Sequence, residues 1–151
     1  MGDIIVTVDF IDCDDAASWI SGKILDFPSC HVGLCHKHEY LFPTAKGKTK
    51  WRSSGVIYHH FKPSYSISLL GRESEGWKER CVGRFISNPI WRLITEPIYV
   101  LRDYGLNVNC PQRIICVDII TDILNDIGIY TESHTPLAFY KELKNHPHRI
   151  G

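Results

Sequence analysis

Ser29-Cys30-His31-Val32-Gly33-Leu34 places a histidine at the head of a short apolar run, with a glycine two residues after it. A run this short, carrying a β-branched valine, reads as a buried strand and seats His31 near that strand's edge. A histidine beside apolar residues is ordinarily a packed residue of the core or its rim. A second stretch gives His31 another meaning. Ile114-Ile115-Cys116-Val117-Asp118-Ile119-Ile120 opens an amphipathic helix, with Cys116, Ile119, Ile120, Ile123, Leu124 and Ile127 on one stripe and Gly128 as its stop. A strand-borne histidine and a cysteine at a helix start are the two halves of a thiolate–imidazole pair.

Working outward, Asp3 to Phe10 reads as a first strand, and Ala16 to about Leu25 as a short helix capped by Asp14 or Asp15. Cys35 to Glu39 reads as a polar turn, with Tyr40-Leu41-Phe42 returning as the partner strand. Lys46 to Arg52 is a basic loop; Gly55 to His60 and Tyr65 to Leu70 carry strand patterns. Gly71 to Gly76 is a charged loop, and a helix is expected from Trp77 towards Ile86, stopped by Asn88-Pro89. Ile90 to Leu106 is ambiguous, since Pro97 splits it. Thr135-Pro136 then caps a last helix over Leu137 to Leu143. A strand-rich first half followed by a striped helix predicts one α+β domain over residues 1–151: a small antiparallel sheet holding His31, packed against the Cys116 helix.

Composition narrows the class without naming it. Of 151 residues, 44% are hydrophobic and 23% charged, as in an ordinary globular domain. Seventeen Lys and Arg balance seventeen Asp and Glu, so net charge does not point to nucleic acid or an anionic membrane. Neither a membrane-spanning run nor a signal peptide is legible, which suggests a cytoplasmic or virion-associated place. The six cysteines lack a tight framework and read as reduced thiols, mostly small buried hydrophobes.

Gly2-Asp3-Ile4-Ile5 at the first strand, the His31-x-Gly33 strand and Ile115-Cys116-Val117 at a late helix start recur in that order in a known superfamily. The chain resembles the permuted papain-like cysteine hydrolases: YiiX-like proteins, NlpC-type peptidases and the lecithin:retinol acyltransferase-like group. The ending, with Thr135-Pro136-Leu137 and Tyr140, also resembles small phage-encoded members. The resemblance implies a permuted papain-like (NlpC-type) fold and thiol acyl transfer without a cofactor. Cys116 would attack an acyl carbon, His31 would serve as base and acid, and helix-start amides would hold the oxyanion. Amide hydrolysis, for instance of a peptidoglycan peptide, is the expected reaction, with an isopeptide, a thioester or a lipid ester as other substrates of such a site.

A third polar residue completes such a site, and a symmetric hairpin through Cys35 to Tyr40 sets Thr44 opposite His31. Threonine departs from the carboxylate, histidine or amide usual there, and Glu39, His36 or His38 would replace it if the register slips. Cys110, ahead of Pro111, is the rival nucleophile. Cys30, His31, Cys35, His36 and His38 invite a zinc reading, against which the alternating faces of a strand argue. Trp51 in the basic loop invites a nucleic-acid reading, against which the balanced charge argues. The alternative to an enzyme is a degenerate fold kept for structure or interaction, for instance as a virion component.

Overall fold

In a computed structural model of the chain, the described residues are 2–12, 29–43, 48–80, 82–84, 98, 101, 105 and 116–151. The helix expected over 16–25 and most of the ambiguous 90–106 stretch lie outside them.

Ile4, Val6, Val8 and Phe10 alternate with Ile5, Thr7 and Asp9, so one face of the first strand is apolar. This strand, β1 (Asp3–Asp12), is second from one edge of a five-stranded sheet. The others are β2 (Ser29–His36), β3 (Glu39–Leu41), β4 (Trp51–Ser53) and β5 (Pro63–Arg72), in the order β4-β3-β2-β1-β5, every pair antiparallel. The β2–β3 hairpin is tighter than the sequence suggests. His36 pairs with Glu39, so the turn is only Lys37-His38, and Lys37 takes a positive φ of 56°. At the other edge the C-terminal tail covers β5. The Ser68 and Leu70 N–H groups donate to the carbonyls of Gly151 and His148, and the Ile150 N–H donates to Ser68.

Three described helices follow from local chemistry to different degrees. The striped segment forms α2 (Cys116–Asp126), closed by a Schellman motif. The Ile129 N–H bonds to the Leu124 carbonyl and the Gly128 N–H to that of Asn125, with Gly128 at φ 84°. The last helix, α3 (Pro136–Lys144), starts on Thr135, whose hydroxyl accepts from the Ala138 N–H at 3.3 Å. Replacing Thr135 with alanine should lower stability by about 1 kcal/mol, read from denaturant midpoints.

Two expectations are corrected. Gly55 to His60 is not a strand but all except the first residue of a short helix, α1 (Ser54–His60). Only Ile57 of it is buried, so packing of that one side chain overrides the β propensity of Val56, Ile57 and Tyr58. The segment from Trp77 forms turns at 75–80 and 82–83 instead of the start of a helix. Among the described residues 75–80 and 82–84 Trp77 is buried singly, and Arg80 and Arg84 reach to Asp126 and Asp122 of α2, so this part straps onto its neighbours; residues 81 and 85–86 lie outside the described part.

The core lies on one side of the sheet. Val6, Val8, Phe10, Val32, Leu34, Leu41, Ile67 and Leu69 meet Ile119, Ile120, Ile123 and Leu124 of α2 and Phe139 and Leu143 of α3. A smaller cluster of Ile11, Tyr40, Phe42 and Ile57 occupies the opposite face, under α1. The chain is thus an α+β protein with a small antiparallel sheet and α2 packed across β2.

Candidate functional site

Cys116 is the first described residue of α2; residues 111–115 lie outside the described part. It is 4% exposed and belongs to the larger core cluster with Val32 and Leu34 of β2. His31 is 3% exposed and lies in that same strand, near its beginning. The helix bearing the cysteine therefore packs against the strand bearing the histidine. The faces differ, however. Val32 joins the α2 side, so alternation turns His31 to the other side. There it pairs with Ile11, and its ring meets the edge of Phe42 at 5.9 Å. Beside His31 the β1–β2 ladder is interrupted by a register shift between Ile11 and Asp12.

Thr44 and Cys110 lie outside the described residues. The described ladder pairs Leu34 with Leu41 and Cys35 with Tyr40, the symmetric register assumed in setting Thr44 opposite His31. Among the substitutes for Thr44, Glu39 is bound to Lys78 at 2.7 Å, which holds its carboxyl below the usual range. His36 stacks edge-on against Trp77 at 5.0 Å; burial, then the Lys78 charge, pushes its imidazole down. Neither has moved to the His31 position.

A polar cluster that the sequence did not announce sits on the His31 face. Asp9, opposite Gly33 and Ser66, is fully buried. Its carboxylate accepts from the Tyr58 hydroxyl at 2.5 Å and the Ser66 hydroxyl at 2.7 Å, which offsets the cost of burying a charge. Cys35 lies beside it. Burial pushes its thiol up, the neighbouring Tyr58 side chain opposes this and the Asp9 charge adds to it, so Cys35 is a poor nucleophile. Tyr40 and Tyr58 are also pushed upward, by burial first and then by the neighbouring carboxylate. An aspartate in the middle of β1, between the aspartates that stand at the strand's two ends, was the one available sign of this cluster.

The sequence also left Asp118 and His134 unused. The Asp118 side chain is 1% exposed, and its Oδ1 is 3.5 Å from Nδ1 of His134. Among the described residues no three His, Cys, Asp or Glu converge as metal ligands. Of the Cys/His group considered for zinc, Cys35 and His36 point to opposite faces, His38 is exposed in the turn, and the Cys30 side chain is outside the described part. Trp51, considered for base stacking, packs edge-on against Trp77 at 5.8 Å beneath the Lys78 ammonium, 4.8 Å from its ring. No described helix is long and apolar enough to cross a membrane. Comparison with known proteins gives no match to a family model, a curated protein or a solved structure.

Proposed function

We propose that the chain is a thiol hydrolase of permuted papain-like fold that performs acyl transfer, amide hydrolysis in particular, on a peptide such as that of peptidoglycan. The observation that carries this is the packing of α2, with Cys116 at its described start, across the strand that holds His31. The order of the Gly2-Asp3, His31-x-Gly33 and Cys116 stretches supports it. In this mechanism His31 takes the thiol proton as Cys116 attacks the acyl carbon, then returns it to the leaving amine. Water hydrolyses the acyl-enzyme, and Thr44 orients the ring. Catalysis by this pair requires the imidazole to come round the end of β2. The ladder is already broken there, and such irregularities re-aim side chains.

A second function is favoured by the two clusters themselves. With Cys116 in one and His31 against the other, the fold serves as a catalytically silent structural or interaction protein, for instance in a virion. Limited iodoacetamide treatment of native protein, read by mass spectrometry, separates the two. A hydrolase labels at Cys116 ahead of Cys35, whose thiol is pushed up. Preferential labelling at Cys110 transfers the nucleophile to that residue, and resistance of both points to the silent fold.

A further inference from the structure

His36 ends β2 on the α2 side of the sheet, the side of Val32 and Leu34. It is buried, and its ring lies edge-on to that of Trp77, with centroids 5.0 Å apart. Trp77, itself buried, belongs to the strap that follows β5, residues 74–80 and 82–84. Further contacts hold this strap to the β3–β4 side of the sheet. The Trp51 indole N–H donates to the Lys78 carbonyl at 2.7 Å, and the Lys78 ammonium lies 2.7 Å from the Glu39 carboxylate. The Thr49 and Gly83 N–H groups donate to the carbonyls of Arg84 and Thr49, at 2.8 and 2.7 Å.

Nδ1 of His36 is buried with no hydrogen-bond partner. A neutral imidazole can carry its proton on Nε2 and leave only an acceptor unpaired, whereas an imidazolium would bury a charged N–H without an acceptor. The charges around it come from four segments. Lys78 in the strap and Lys37 in the hairpin turn oppose a cation, and Glu39 of β3 and Glu73 after β5 favour one. Burial weighs most and Lys78 next, so the imidazole is held below the ordinary histidine range. Asp3 and Asp9 of β1 and Arg72 of β5 belong to the other face of the sheet. The acids of α2 are turned to other bases, Asp118 to His134, Asp122 to Arg84 and Asp126 to Arg80. On α3, Lys141 and Lys144 are exposed, and Glu142 accepts from the Glu132 and Ser133 N–H groups.

We infer that the His36–Trp77 contact is an acid-sensitive latch, in which protonation of His36 loosens the strap from the sheet while α2 stays packed on it. The latch does not depend on the hydrolase reading. A closed strap keeps the imidazole neutral and an open one hydrates it. Closure is therefore favoured in full above the ordinary histidine range and weakens as pH falls through that range.

The test is amide hydrogen exchange of the full chain followed by NMR at pH 7.5 and 5.5, with rates corrected for their intrinsic pH dependence. Protection at Thr49 and Gly83 should fall about fivefold at the lower pH and hold steady at Ile120 and Ile123 of α2. His36→Phe, which keeps a ring against Trp77 but takes no proton, should hold strap protection within about twofold between the two pH values. Strap protection that is unchanged in the parent protein overturns the inference. So does protection that rises, as attraction of an imidazolium to the Trp77 face would make it do. An equal fall in folded His36→Phe, or a fall in α2 in step with the strap, overturns it as well. If His36→Phe does not fold, the His36 ring signals of the parent protein decide. They must titrate together with the loss of strap protection and below the range of an exposed histidine, and titration at or above that range defeats the latch.

Discussion

Cys116→Ala should abolish turnover of a cleavable acyl substrate while leaving the fold almost intact. Alanine is the best helix former, and the deletion removes one sulfur from a buried position, at a cost of about 1 kcal/mol or slightly more. Loss of activity would then report chemistry, since no other group in the mechanism forms the acyl-enzyme. His31→Ala should cost on the order of a hundredfold or more, the scale of a positioned acid and base. Thr44→Ala should cost far less, because an orienting hydroxyl carries no charge to the imidazolium. Release of soluble peptide from purified cell-wall material is the assay, with ester and thioester substrates in parallel. Activity surviving in Cys116→Ala would overturn the mechanism. Inactivity of the parent protein on every substrate would place the silent fold ahead of the hydrolase.

The elements that sequence reading found are those whose burial follows one period. The α2 stripe repeats with helical spacing, and the helix packs on the sheet; β1 alternates, and its apolar side faces α2. Elements decided by a single contact escaped. In α1 one residue, Ile57, is buried and Tyr58 bonds to Asp9, and neither fact leaves a periodic trace. Trp77 misled in the same way, since one buried aromatic in a strapped loop resembles the first turn of a helix. Around the candidate site, the packing of the Cys116 helix on the strand of His31 was legible. The face on which His31 falls was not, because a one-residue change of register exchanges the two faces of a strand. Asp118 and His134 were missed because the returning segment 129–135 buries a side of α2 that the apolar stripe marks as outward.

Gly33→Ala should be among the most destabilising single substitutions in the chain, despite adding only a methyl group. A Cβ at position 33 would lie 2.5 Å from Cε1 and 2.7 Å from Cζ of Tyr40, and closer still to its hydroxyl oxygen. Real side chains do not approach so closely, and the ring cannot swing away into water. Tyr40 is fully buried, with Phe42 and Tyr58 edge-on to its ring at 6.3 and 5.4 Å. Overpacking a core by a methyl group costs about 1–3 kcal/mol, and with this ring trapped the upper end is expected. For a domain of this size that is a fall in melting temperature of roughly 10 °C. The clash predicts coupling. In a Tyr40→Leu background, itself destabilised by loss of the aromatic ring, Gly33→Ala should cost under about 1 kcal/mol, leaving an interaction energy of about 2 kcal/mol in the cycle. Additive losses would mean that Gly33 is not needed for the Tyr40 ring. The glycine two residues after His31 thus has a packing reason of its own. Its presence does not by itself argue for a catalytic strand, so the weight of the hydrolase proposal rests on Cys116 and His31.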